Sequence, residues 1–86
     1  KNLDELKAGL ALNPMDCKVR FDYACALLGA GQNEEGLDAL FDIIEKDQNW
    51  NENAARKQIL KVFEALGSTD PLTQAGRRRL SSILFS

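Results

Sequence analysis

Residues 37–48 read LDALFDIIEKDQ, and residues 3–14, which lie 34 positions earlier, read LDELKAGLALNP. In both stretches the apolar positions recur every three or four residues, which is the spacing of one face of an α-helix. The two stretches therefore predict a helical repeat with a period of 34 residues. The positions that match are Leu3 and Leu37, Asp4 and Asp38, Leu6 and Leu40, Leu10 and Ile44, and Asn13 and Asp47.

Turn and capping residues divide the first half of the chain into three helices, and no stretch of the sequence has the alternating pattern of a strand. Asn13 closes the first helix, because a residue before proline is driven out of helical geometry. Asp16 caps a second helix that ends near Gly31, and Asn33 starts a third. The inward positions expected for the second and third helices are Val19, Tyr23, Ala26, Leu27, Ala30, Leu37, Leu40, Phe41 and Ile44.

The last two helices are also marked by their boundaries. The fourth helix is expected to begin near Asn51 or Asn53 and to stop at Gly67. Asp70 caps the fifth helix, and Pro71 occupies its first position, where a missing backbone N–H does no harm. Because the connections between helices are short, sequence neighbours must pack antiparallel. The predicted fold is an all-α array of antiparallel helical hairpins.

The period identifies the kind of array. It is the length of the tetratricopeptide repeat, and residues 17–50 resemble that family's helix hairpin. The resemblance implies a right-handed array of about five helices in a single domain, residues 1–86. Residues 1–14 would be the second helix of a truncated repeat, 15–49 a complete repeat, and 50–86 a divergent terminal hairpin. The residues that match the family's pattern are Tyr23, Ala24, Leu27, Gly31, Gly36, Leu40 and Ile43.

The third unit departs from the second in its register. Alignment of the two units needs a shift of 36 residues, which pairs Arg20 with Arg56 and Gly31 with Gly67. Two residues have therefore been added around Trp50. The regular array is expected to bend at this point.

A wider resemblance covers nearly the whole chain. The stretches GAGQNEEGLDALFDIIEKDQNW and AARKQILKVFEALGSTDPLTQAGRRRLSSILF are similar to the C-terminal tetratricopeptide region of bacterial thioredoxin-like fusion proteins, the chaperedoxin-type co-chaperones. The resemblance implies a cytoplasmic protein-interaction module that binds unfolded clients or the chaperone machinery. It implies no enzyme activity, catalytic residue, metal or cofactor in this region, because the thioredoxin-fold domain of that family precedes it.

Tetratricopeptide arrays bind peptides along the groove formed by the first helix of each hairpin, which gives a first candidate site. Phe21 and Cys25 stand where the repeats that grip chaperone carboxylate ends carry Lys and Asn, so that kind of clamp is not expected here. An apolar patch flanked by lysines would suit an extended peptide with some acidic character. Alternatively, Phe21 packs under the preceding helix. The groove candidates are Lys18, Phe21, Cys25, Leu28, Lys57 and Lys61.

The stretch RRRLSSILFS, residues 77–86, is the second candidate site, because it holds more apolar residues than one buried face requires. One interpretation is that these residues seal the last hairpin, with Phe85 folded back on it. Another is a docking helix for a protein partner with a charged rim. A third is a phosphate contact for RNA through Arg77–Arg79. The docking candidates are Arg77, Arg78, Arg79, Leu80, Ile83, Leu84 and Phe85.

Composition excludes several other functions. With 11 basic and 13 acidic residues, the chain does not resemble a general nucleic-acid binder, and it lacks the histidine that an imidazole base requires. No apolar run approaches the roughly 20 residues of a membrane helix, and no basic-then-apolar stretch marks secretion, so neither a membrane span nor secretion is expected.

The two cysteines leave one alternative function open. Cys17 and Cys25 lie in one predicted helix about 12 Å apart, too far for a disulfide, and are expected to be reduced. A redox-active Cys25 is the alternative that the sequence leaves open.

The first helix suggests that the chain associates with itself. The following hairpin is not expected to cover all of Leu3, Leu6 and Leu10. The leucine residues that remain uncovered would favour self-association.

Overall fold

The computed structural model describes residues 2–85 and consists of five α-helices joined by short turns. No strand occurs in this part of the chain, and the predicted all-α fold is confirmed. None of the helices in residues 2–85 combines the length and the apolar character needed to cross a membrane. The helices are α1 (Leu3–Leu12), α2 (Cys17–Gly29), α3 (Asn33–Lys46), α4 (Trp50–Leu66) and α5 (Pro71–Leu84).

Side-chain caps start three of the helices. The carboxylate of Asp16 accepts hydrogen bonds from the backbone N–H groups at the start of α2, and Asp70 accepts one from Leu72 at 2.8 Å at the start of α5. Both caps confirm the sequence prediction, as does Pro71 in the first turn of α5. Asn2 caps α1 in the same way, which the sequence analysis did not predict. Such a cap typically stabilises a helix by about 1 kcal/mol.

The ends of α2 and α4 depend on glycine. Gly31 and Gly67 have φ angles of 83° and 91°, in the region that favours glycine over other residues. After α2, the N–H of Gln32 donates to the carbonyl of Leu27 at 2.9 Å, so that the chain turns back sharply into α3. The predicted helix ends at these two glycines are confirmed.

Helix α3 forms the centre of the fold, because α2, α4 and α5 all pack against it. The predicted apolar stripe of α3 is buried, and so are Ala39 and Ile43 on its other faces. In α2 the fully buried residues are Ala24 and Leu27. The expectation that Ala30 faces inward was wrong, because α2 has already ended there and Ala30 is exposed.

A glycine lies at the crossing point of each hairpin. A Cβ atom on Gly36 would approach Leu28 to 2.7 Å and the backbone oxygen of Ala24 to 3.2 Å. A Cβ atom on Gly76 would approach the ring of Phe63 to 2.6 Å. In each of the hairpins α2–α3 and α4–α5, the absence of a side chain on this glycine therefore allows the two helices to pack closely. Gly36 is among the residues that match the tetratricopeptide pattern in the sequence, whereas Gly76 is not.

The first turn of α4 has an unusual backbone conformation. Asn51, Glu52 and Asn53 have φ angles of 49°, 56° and 65°, which place three successive residues in the left-handed region. The regular part of α4 therefore begins at Ala54, close to the predicted start at Asn53. This turn lies where the comparison of repeats placed two additional residues.

Arg20 fixes the connection between α1 and α2 to the rest of the fold. Its guanidinium donates to the carbonyl oxygen of Pro14 at 2.9 Å and to the carboxylate of Asp42 at 3.3 Å. The Arg20 side chain is largely buried, so this ion pair is better shielded from water than the others found in residues 2–85. One residue thus ties α2, the preceding turn and α3 together.

Candidate functional site

An open groove of about 390 Å³ lies between α4 and α5 of the last hairpin. Phe63 and Leu80 form its floor and are almost fully buried. Leu60 and Phe85 stand at its edge, with 45% and 84% of their surface exposed. The groove is lined by Leu60, Phe63, Glu64, Arg77, Leu80, Ser81, Leu84 and Phe85.

The spacing of residues along the two helices produces this groove. On α5, Arg77, Leu80, Ser81 and Leu84 follow the i, i+3, i+4, i+7 pattern of one helix face. The opposite wall comes from Leu60, Phe63 and Glu64 of α4. Phe63 and Glu64 follow Leu60 by three and four residues and therefore lie on the same face of the helix. Phe85 follows the last turn of α5, where its N–H donates to the carbonyl of Ser81. An apolar surface is therefore exposed beside a buried floor, which is typical of a binding site.

The three consecutive arginines of α5 have different surroundings. Arg77 lies at the rim of the groove, and Arg78 is exposed. Arg79 instead fastens α5 to α3: its guanidinium contacts Asp38 at 2.8 Å and Glu45 at 3.6 Å and lies 4.5 Å from the centroid of the Phe41 ring. The positive charge of Arg79 is thus engaged by two carboxylates. A phosphate contact for RNA through Arg77–Arg79 stays a prediction.

The other docking candidates belong mainly to the core. Leu80 is 8% exposed, and Ile83 and Leu84 pack partly against the core cluster. One interpretation of the sequence expected Phe85 to fold back onto the last hairpin. The structure shows that it does not. It remains the most exposed of the large apolar side chains in residues 2–85.

Residues 1–85 match the family model described as "Tetratricopeptide repeat". The chain belongs to the tetratricopeptide repeat family. Tetratricopeptide repeats are protein–protein interaction modules and are generally non-catalytic. The tetratricopeptide resemblance predicted from the 34-residue period is thereby confirmed.

A relative in Haemophilus influenzae matches nearly the whole of the tetratricopeptide chain. It carries the description "Uncharacterized protein" and is 36% identical to this chain over 83 residues. The match covers 96% of the tetratricopeptide chain but only 38% of the relative. The chain therefore spans well under half the length of this relative.

The residues expected to line the tetratricopeptide peptide groove are not gathered in one place. Leu28 and Lys61 share a cleft of about 330 Å³ between α2 and α4. Cys25 instead lines a different depression, which it shares with Leu6 of α1. Lys18 is held by an ion pair with Asp22 at 2.7 Å, and Lys57 is exposed.

Phe21 is occupied by an aromatic contact. Its ring packs against Trp50 with the ring centroids 5.5 Å apart, and both side chains contact the core cluster. The packing alternative in the sequence analysis placed Phe21 under the preceding helix. The structure places its ring against Trp50, the first residue of α4. This contact covers part of the Phe21 side chain, and its role in a peptide groove stays a prediction.

The surroundings of the cysteines do not favour redox chemistry. Burial, followed by the nearby negative charge of Asp22, raises the pKa of the Cys25 thiol. Burial, followed by Asp47, raises the pKa of Cys17. A raised pKa leaves less of the reactive thiolate at any pH below that value. Both thiols are free, and no group of residues that could hold a metal occurs within residues 2–85.

The leucine stripe of α1 is better covered than the sequence suggested. Leu6 is buried, and Leu3 and Leu10 are half-buried. The large apolar residues that α1 and the following turn expose are Leu12 and Met15. Self-association through the leucine stripe stays a prediction, but most of the surface on which it depends is covered.

Proposed function

We propose that this tetratricopeptide chain binds apolar segments of other polypeptides in the groove between α4 and α5. The observation that carries the proposal is the exposure of Phe85, 84% of whose surface is accessible beside an open apolar groove. Burying such a side chain against a partner contributes about 1.5–3 kcal/mol. Binding of a partner in the groove would thus gain a free energy of burial that the chain does not gain by itself.

The shape and chemistry of the groove suit an apolar side chain with polar neighbours. Phe63 and Leu80 provide a rigid floor, because both belong to the packed core. Glu64 and Arg77 at the rim are able to contact backbone amides or charged side chains of the bound segment. Such a site recognises apolar character without demanding a particular sequence, which is what binding of unfolded chains requires.

The biological context rests on the resemblance to thioredoxin-like fusion proteins. In this proposal the chain is the C-terminal arm of a cytoplasmic co-chaperone or holdase, and its partners are unfolded clients or the chaperone machinery. Helix α1 would complete a preceding repeat, α2–α3 would be the full repeat, and α4–α5 would be the divergent terminal hairpin. No catalytic step, metal or cofactor is assigned to this arm.

An aggregation assay tests the proposal. Reduced and carboxymethylated lysozyme cannot refold and is a suitable labelled client for binding, and a heat-denatured enzyme reports aggregation by light scattering. We expect the 86-residue chain to bind the first and to slow aggregation of the second. Leu60→Glu places a charge at the groove edge without removing a core side chain, because Leu60 is already 45% exposed.

Leu12→Glu is the matched control, since Leu12 is 82% exposed and lies far along the chain in α1. The proposal predicts that Leu60→Glu weakens client binding at least tenfold, whereas Leu12→Glu leaves it unchanged. Equal loss of binding in both variants, or no binding by the original chain, would contradict it.

A further inference from the structure

The groove between α4 and α5 carries opposite charges on its two walls. Glu64 lies on α4 and Arg77 on α5, and both side chains line the same groove. Both residues are exposed, and neither forms an ion pair within residues 2–85. If two copies packed groove to groove about a two-fold axis, Glu64 of one copy would face Arg77 of the other, and this pair would occur twice. The surface is therefore complementary in charge to itself.

The same surface also supplies an apolar projection and a place to receive it. Phe85 projects from the end of α5 at the edge of the groove, and no other side chain in residues 2–85 buries it. The groove beside it is about 390 Å³, with an apolar floor of Phe63 and Leu80. In a symmetric pair, the Phe85 ring of each copy would enter the groove of the other. Aromatic anchors of this kind typically dominate the affinity of protein interfaces.

We propose that the α4–α5 groove binds a second copy of this chain in a two-fold symmetric dimer. Phe85 is the anchor, and two pairs of Glu64 with Arg77 fix the orientation. The dimer goes beyond the proposed client binding, but both use one groove. Dimerisation therefore covers the apolar surface when no client is present, and a client competes with the second copy for the groove.

The charge pair allows a stringent test by sedimentation velocity of the 86-residue chain at a series of concentrations. Glu64→Arg and Arg77→Glu each place like charges opposite one another and are expected to weaken dimerisation about tenfold or more. The double variant Glu64→Arg with Arg77→Glu restores opposite charges, with the positions exchanged. It is expected to dimerise within about threefold of the original chain. Because both positions are exposed, none of these variants removes a core contact.

Phe85→Ala and Leu12→Ala test the anchor with a matched pair of exposed apolar side chains. Loss of the dimer in Phe85→Ala and its retention in Leu12→Ala support the proposal. An original chain that stays monomeric at about 1 mM overturns it, as does a double charge variant no better than the single ones. A dimer that depends on Leu12 instead of Phe85 also overturns it. These measurements contain no client, so failure of the dimer leaves the client-binding assay as a separate result.

Discussion

Phe21 and Trp50 pack against each other with ring centroids 5.5 Å apart and ring planes inclined by 49°. This contact joins α2 to the first residue of α4, although the whole of α3 separates them in the sequence. It is made immediately before the left-handed turn at residues 51–53. The aromatic pair therefore anchors the last hairpin at the point where the repeat register changes.

Replacement of Phe21 by alanine tests this anchor. Because Phe21 is half-buried and touches both Trp50 and the core, we expect Phe21→Ala to lower the free energy of unfolding by about 2 kcal/mol. Trp50 is the only tryptophan in the chain, so its fluorescence emission should shift to the red as water reaches the ring. Phe85→Ala removes the same side chain from an exposed position and should change neither quantity when measured at low protein concentration.

A glycine in the left-handed turn is expected to raise the free energy of unfolding, whereas Phe21→Ala is expected to lower it. Glu52 has a φ of 56°, a region that costs a residue with a side chain about 1 kcal/mol relative to glycine. Glu52→Gly is therefore expected to raise the free energy of unfolding by about 0.5–1 kcal/mol. The control is Glu35→Gly in the regular part of α3, which should lower it by about 1 kcal/mol. Denaturant titrations that show the same loss for both variants would rule out the left-handed turn.

The packing of Gly76 against Phe63 is tested by adding one methyl group. A Cβ atom at position 76 would lie 2.6 Å from the Phe63 ring, so Gly76→Ala should destabilise the hairpin by about 1–3 kcal/mol in spite of alanine's better helix propensity. Gly29→Ala is the control, because its Cβ would meet nothing within 4 Å. Thermal unfolding should show a lower Tm for the first variant and an unchanged or higher Tm for the second.

Arg78 and Arg79 carry the same charge, but only Arg79 contacts α3. Their alanine variants therefore measure what these contacts contribute to the free energy of unfolding. Arg79→Ala removes the contacts with Asp38, Glu45 and the Phe41 ring, and we expect a loss of about 1–2 kcal/mol in the free energy of unfolding. Arg78→Ala removes an equal charge that has no such contact and should cost less than about 0.5 kcal/mol. Part of the Arg79 effect should disappear in 1 M salt, because the ion pairs are partly exposed.

The features that the sequence predicted are local. Asp16, Asp70 and Pro71 determine helix starts through their own backbone neighbours, and Gly31 and Gly67 determine helix ends in the same way. The inward stripe of α3 follows from a single helix period. These elements could be located because each signal and its structural consequence lie within a few residues of each other.

The features that the sequence missed depend on contacts between distant segments. The three arginines of α5 look alike in the sequence, and only the packing of α5 on α3 brings Asp38 and Phe41 to Arg79 alone. In the same way, Phe21 looks like a groove residue until α4 places Trp50 against it. The groove beside Phe85 requires one face of α4 to lie beside one face of α5, and the spacing within either helix does not specify that pairing.

The most direct test of the central claim is to map where an unfolded client touches the chain. The backbone amides of the isotopically labelled 86-residue chain would be followed by NMR during titration with reduced and carboxymethylated lysozyme. Binding in the α4–α5 groove predicts that the largest shifts and broadening occur at Leu60, Glu64, Ser81, Leu84 and Phe85. Changes concentrated instead at Lys18, Cys25 and Leu28, or no changes at all, would contradict the account.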